Sequence, residues 1–279
     1  MKLISYRHQG REAYGVVKDG GIVDMSARMD HPSLKQAIAG LSINEMEKLA
    51  AAADPDVSLD AIEYMFPITT PEKIFCIGRN YRAYHEVLED GGPKWPSIFP
   101  RFASGFAPHG EAILRPSVSE QLDYEGEIGV IIGKPGRHIP EENALDYVAG
   151  YCVAHDVSER AFQTERHGQW TKGKGCETFG PIGPWVATKD EIKDPQNLNI
   201  WLKVNGDYRQ KGNTKTMIFN VRKLVSYLSH FLVLEPGDVI VTGTPPGVGM
   251  GVKPEPVWLK PGNIMELGVE GLGQQRQDV

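Results

Sequence analysis

Asp123-Tyr124-Glu125-Gly126-Glu127-Ile128-Gly129-Val130-Ile131-Ile132-Gly133 joins an acidic, alternating segment to an unbroken apolar run. A short β-branched run bounded by glycine reads as a strand buried on both faces. Side chains two apart on a strand point the same way, so Asp123, Glu125 and Glu127 are expected on one side. Like charges crowded beside a buried strand must be solvated, protonated or neutralised by a cation, and a hard divalent ion does the last most simply. The competing reading is an acidic strand end facing water.

Working outward, strands are predicted at Ile74 to Gly78, Tyr147 to His155, Leu198 to Val204, Val239 to Thr242 and Ile264 to Val269, with the opening run covering Glu127 to Gly133. Upstream, alternation around Tyr14, Val16, Ile22 and Val23 flanks the turn Lys18-Asp19-Gly20-Gly21 and predicts a hairpin. Ser42 followed by Glu45 has capping-box spacing, so a short helix should run on to Asp54-Pro55. A second helix is expected from Met217 to Phe231, where Ile218, Val221, Val225, Leu228 and Phe231 share a face. The Pro/Thr-rich joint between Pro67 and Pro71 suggests a small α+β domain over residues 1–70 and a catalytic domain over 71–279. Regular βαβ alternation is missing, so the class is α+β, predominantly β: a barrel, roll or sandwich with peripheral helices.

A further acid, Asp156, closes the apolar run Val148 to Ala154, where a buried strand should open onto a loop; its alternative role is a turn cap with Ser158. Two glutamates and an aspartate make an all-oxygen shell that suits Mg²⁺ or Mn²⁺ better than Zn²⁺. Three carboxylates exceed one divalent charge, so an anionic substrate calls for a cation, either Lys174, set between Gly173 and Gly175, or Arg79. His85 and Glu89 stand i, i+4 in a helically spaced segment and can form a water-activating pair, or a plain surface pair. The glycine-rich Thr242 to Gly249 lacks the Gly-Lys-Ser/Thr ending of a phosphate loop and reads as a tight loop offering Thr244 to a ligand. Asp90 to Pro96 reads as a lid or a subunit-contact loop anchored by Trp95.

The 279 residues suffice for a large core, and 41% hydrophobic with 24% charged residues is a folding composition. A net charge of -6 without a basic stripe argues against nucleic acid. No run approaches the ~20 apolar residues of a membrane span, and the N-terminus lacks a signal-type apolar core, so a cytoplasmic location is expected. Cys76, Cys152 and Cys176 lack metal-type spacing and are read as core residues of a reduced protein.

In order, CIGRNY (76–81), DYEGEIGVIIG (123–133), AHDVSERAFQ (154–163), WTKGKG (170–175), NGDYRQKGNT (205–214) and TGTPPGVG (242–249) resemble the fumarylacetoacetate hydrolase family. The resemblance implies a mixed β-roll catalytic domain, a homodimer, and Mg²⁺ or Mn²⁺ on Glu125, Glu127 and Asp156. It implies a small 2-oxo acid as substrate, Lys174 as the family lysine, Gln163 and Thr244 as substrate contacts, and His85 as the residue activating water; Arg79 and Tyr81, in CIGRNY, are expected as further substrate contacts. The chain departs from the family pattern at His85, which stands five rather than four residues after Asn80; Leu88 occupies the usual glutamate position, leaving Glu86 or Glu89 as its partner. The interval from Asp156 to Lys174 is also one residue longer than usual.

Three functions fit these residues. The first is metal-dependent hydrolysis of a C–C bond in an acylpyruvate-like or other 2,4-dioxo acid. The second is isomerisation or decarboxylation of a 2-oxo acid by the same metal-enolate chemistry. The third, a non-catalytic ligand-binding protein, fits least, because all three candidate ligands and Lys174 are present.

Overall fold

The computed structural model describes residues 1–83 and 92–279. The fold is α+β and predominantly β, and among the described residues no sheet closes into a barrel. Among the described residues, one 12-stranded mixed sheet is accompanied by a four-stranded antiparallel sheet and a two-stranded ribbon.

Gly126–Ile132 lies inside the large sheet, antiparallel both to Val148–His155 and to Val239–Val241. Every residue of it is buried, as the apolar run requires. Its two faces serve two cores. Ile128, Val130 and Ile132 pack with Leu202, Met265 and Leu267 of the four-stranded sheet and with Leu224, Val225 and Leu228 of the helix Val221–Ser229. Ile131 faces the other way, toward Cys152, Ala154, Val239 and Val241 and the helical residues Leu34, Ile38 and Met46. At about 25 cal/mol per Å² of apolar surface, such two-sided burial is the main force holding this strand.

The predicted strands are present within one or two residues, including Ile74–Gly78 and Ile264–Val269, and the N-terminal hairpin forms from Arg11–Lys18 and Gly21–Asp24. The sheet also continues across residue 70. Lys2–His8 pairs with Gly180–Thr188 (Leu3 opposite Val186), and Leu3, Val16, Leu34 and Met46 share a core with Ile131, Cys152 and Ile182.

Two helix expectations need correction. The helix Ile43–Ala51 begins after Ser42, but the Ser42 hydroxyl makes no capping bond; it lies 3.0 Å from His31 Nε2 instead. The later helix is Val221–Ser229, shorter than the apolar spacing suggested. Its start is displaced because Asn80 takes the preceding amides: the Asn80 carbonyl accepts from Ile218 N, and its side-chain Oδ1 accepts from Phe219 N at 2.8 Å. Asn220 then caps the helix, accepting from Lys223 N at 2.8 Å.

Asn80 is fully buried and also donates from Nδ2 to the carbonyls of Phe219 (3.0 Å) and Thr242 (2.8 Å). One amide thus ties the strand end Gly78 to the helix entry and to the glycine-rich loop. Replacing it (Asn80→Ala) leaves buried backbone groups unpaired and should destabilise the protein by about 2–4 kcal/mol. A shift of the urea midpoint at constant slope would measure this, and an unshifted midpoint would mean that water replaces the amide.

Candidate metal centre

Glu125 and Glu127 flank the first residue of the strand Gly126–Ile132, and Asp156 follows the end of Val148–His155. The antiparallel register sets Gly126 opposite His155, and Asp156 N donates to the Glu125 carbonyl at 2.9 Å. These pairings bring one carboxylate oxygen from each of Glu125, Glu127 and Asp156 to within 4.8 Å of one another. Asp123 does not join them, contrary to strand alternation. The strand breaks at Tyr124, and Asp123 instead pairs with Ser158 in the short ribbon. Its carboxylate accepts from Gly249 N (2.6 Å), Met250 N (3.0 Å) and Arg160 Nε (2.9 Å), so it anchors the glycine-rich loop.

Three buried cations face the acids. Lys174 Nζ, on the short helix Thr171–Lys174, donates to Glu125 Oε2 (2.8 Å), Asp156 Oδ2 (2.6 Å) and the Asp156 carbonyl (3.1 Å). Arg160 NH2 lies 2.6 Å from Glu125 Oε1, and Arg101 NH1 donates to Asp156 Oδ1 at 2.5 Å. Sequence reading missed both arginines. Arg160 lies inside the segment AHDVSERAFQ, four residues past Asp156, and could have been found there; nothing local distinguishes Arg101, which merely follows the strand Ser97–Pro100.

These cations change the charge balance inferred from sequence. Four carboxylates with Arg101, Arg160 and Lys174 leave one negative charge, which a divalent ion would convert to one positive charge, the complement of a substrate carboxylate. Burial raises the Glu125 carboxyl, but Lys174 and Arg160 outweigh it and hold its pKa at about 2. Glu127 goes the other way: burial first, then Asp156 and Glu125, push it well above the usual glutamate range, although the Gly243 amide donates to it. The all-oxygen donor set of Glu125, Glu127 and Asp156 fits Mg²⁺ or Mn²⁺.

One prediction follows from Glu127. Because the metal-free site retains its proton above the usual glutamate range, binding a divalent ion must displace it, so affinity should rise with pH until Glu127 ionises unaided. Calorimetric titration with Mn²⁺ in buffers of different ionisation enthalpy should show proton release; a buffer-independent heat would contradict the assignment.

Over the acids opens a cavity of 330 Å³ lined by Arg79, Gln163, Lys174, Thr244, Trp170 and Phe99, together with Glu125 and Asp156. Arg79 holds a left-handed backbone (φ 54°), and its guanidinium lies 5.8 Å from the Trp170 ring. The absence of a side chain at Gly78 is required here, since a Cβ would stand 2.0 Å from Trp170. Gln163 Oε1 accepts from Arg160 NH1 at 2.8 Å, which leaves its amide NH₂ as the donor for a bound molecule. Thr244 is less available than expected: its hydroxyl donates to the Gly126 carbonyl and accepts from Gln210, both at 2.8 Å. Tyr81 does not line the cavity; it is buried in the core with its pKa raised, by burial and then by Glu127. His85 and Glu89 lie outside the described residues.

The family model for the fumarylacetoacetate hydrolase C-terminal region matches residues 73–279. The chain belongs to the fumarylacetoacetate hydrolase family. Among family relatives, a Burkholderia multivorans protein named provisionally as a hydrolase is 46% identical over 279 residues, covering 99% of this chain and 98% of its own. Fumarylacetoacetate hydrolase from Exiguobacterium antarcticum superposes with a TM-score of 0.85 at 33% identity, over 100% of this chain and 99% of that one. A 5-carboxymethyl-2-hydroxymuconate delta-isomerase from Mycobacterium smegmatis gives 0.78 at 27% identity, with 100% and 99% coverage. Maleylpyruvate hydrolase from Sphingobium sp. SYK-6, in complex with manganese(II) and pyruvate, gives 0.82 at 27% identity, with 100% and 98% coverage. The fold is therefore shared by hydrolases and isomerases. No described helix is long and apolar enough to cross a membrane.

Proposed function

We propose that this family member is a divalent-metal-dependent hydrolase that cleaves a C–C bond in an acylpyruvate-like or other 2,4-dioxo acid. The observation carrying the reading is the convergence of Glu125, Glu127 and Asp156 within 4.8 Å beneath a cavity that also presents Arg79, Gln163 and Lys174. Mg²⁺ or Mn²⁺ held by the three acids would act as a Lewis acid toward negative charge developing on the 2-oxo oxygen. The pyruvate bound in the manganese complex of the Sphingobium relative supports a 2-oxo acid as the ligand type.

The chain's own groups divide the remaining work. Arg79 and the Gln163 amide bind the substrate carboxylate and orient the chain of carbonyls. Lys174, saturated by Glu125 and Asp156, fixes both carboxylates and adds positive charge beside the reacting oxygen. Trp170 and Phe99 form an apolar wall that limits water. His85, with Glu86 or Glu89, takes a proton from water as it attacks the distal carbonyl; the C–C bond breaks, and the carbon fragment recovers a proton. A homodimer with a small oxo-acid ligand, and no role for nucleic acid or membrane, completes the reading.

A second reading, isomerisation of a 2-hydroxymuconate-like acid, is supported by the likeness to the Mycobacterium smegmatis isomerase. Incubation with an acylpyruvate and Mg²⁺ in ¹⁸O-labelled water discriminates. Hydrolysis should release pyruvate and a carboxylic acid carrying one solvent oxygen; an isomerised product without label would establish the second reading, and no product from a panel of oxo acids would overturn both.

A further inference from the structure

The segment Leu122–Gly126 borders a second cavity. It measures 240 Å³ and is walled by Tyr124, Arg209, Lys260, Asn205, Asn263 and Trp258, with Val204, Val257 and Leu259 completing an apolar side. Tyr124 is only 1% exposed, and its phenolic oxygen is buried without any hydrogen-bond partner. Among the described residues, neither Arg209 nor the Lys260 ammonium has an ion-pair partner, and no carboxylate lines the pocket. This is unusual in a chain of net charge -6.

Both asparagines are turned the same way by the backbone. Asn205 Oδ1 accepts from Ile264 N (2.9 Å), and Asn263 Oδ1 accepts from Lys260 N (2.8 Å), so each has only its NH₂ donor uncommitted. The uncommitted polar groups of the pocket are thus donors: a guanidinium, an ammonium, two amide NH₂ groups and a phenol. A buried hydroxyl without a partner costs free energy, and a pocket whose uncommitted side chains can all donate is best complemented by an anionic acceptor.

We propose that this pocket is a binding site for a small carboxylate with an apolar body. The carboxylate sits among Arg209, Lys260 and the Tyr124 hydroxyl, and the body rests on Trp258, Val257 and Leu259. The volume, below that of drug-sized sites, restricts the ligand to a compact acid. Tyr124 lines this pocket while Glu125 lines the cavity over the acids, so one peptide unit separates the two. The pocket is distinct from the metal centre and does not depend on the reaction proposed for it.

The test is calorimetric titration of the full chain with benzoate and, separately, with inorganic phosphate, in the presence of Mg²⁺ and saturating pyruvate to fill the metal-centre cavity. Benzoate should bind, and the double variant Arg209→Met/Lys260→Met should weaken it at least about tenfold while pyruvate binding stays unchanged. Tyr124→Phe, which retains the ring, should weaken benzoate by a smaller factor. Preference for phosphate over benzoate, equal benzoate affinity in wild type and the double variant, or no benzoate binding either with or without pyruvate would each overturn the proposal.

Discussion

Glu127→Gln should abolish metal-dependent turnover while leaving the metal-free fold almost untouched. In the native protein, burial and the neighbouring Asp156 and Glu125 already push this carboxyl toward its neutral form. A neutral amide of the same shape imposes little new cost, and its oxygen can still accept from Gly243 N. What it cannot do is supply the third anionic ligand. Lewis-acid stabilisation contributes several kcal/mol to such reactions, so kcat/KM should fall on the order of 10³-fold. Thermal denaturation separates the effects: without metal, both proteins should melt together, and added Mn²⁺ should raise the melting temperature of the native protein alone. Retained activity, or equal stabilisation by Mn²⁺, would remove Glu127 from the ligand set. By contrast, Asp156→Ala would confuse the two effects, because it strips Arg101 and Lys174 of a buried partner.

Arg160→Met should produce the largest loss of stability. The guanidinium is 4% exposed and binds Asp123 at 2.9 Å, Glu125 at 2.6 Å and Gln163 at 2.8 Å. Methionine fills much of the space but leaves two buried carboxylates short of a cation. Breaking a buried pair in this way typically costs about 3–5 kcal/mol, because desolvated charge is left uncompensated. The loss should be read in urea midpoints. Divalent metal should restore part of it, since Glu125 then regains a positive neighbour, whereas Asp123, committed to the Gly249 and Met250 amides, should not benefit. A variant as stable as wild type, or one wholly indifferent to metal, would show that Arg160 is not the counter-ion of this cluster.

The difference between Glu127 and Arg160 also marks where sequence reading succeeded and where it stopped. Glu125 and Glu127 were legible because the two-residue period of a strand is a local property: Gly126 between them and the apolar run after them place both at the end of a buried strand. Asp156 was legible as the acid that closes the apolar run Val148 to Ala154, where a buried strand opens onto a loop. Asp123 was misplaced by that very rule, since the rule assumes an unbroken strand and the backbone leaves the ladder at Tyr124.

By itself, the chain's order of residues determined the strands and the hairpin and singled out Glu125, Glu127, Asp156 and Lys174 as candidates, all through short-range periodicity and motif. Only the tertiary structure decided how the charge is balanced. Arg101 and Arg160 come from separate segments and meet Asp156 and Glu125 through pairings between distant strands, and Asn80 shortens the later helix by capturing amides from far along the chain. Local sequence carries backbone preference and side-chain spacing, whereas the electrostatics of a buried site depend on which remote charges folding brings within a few ångströms in a weakly screening interior.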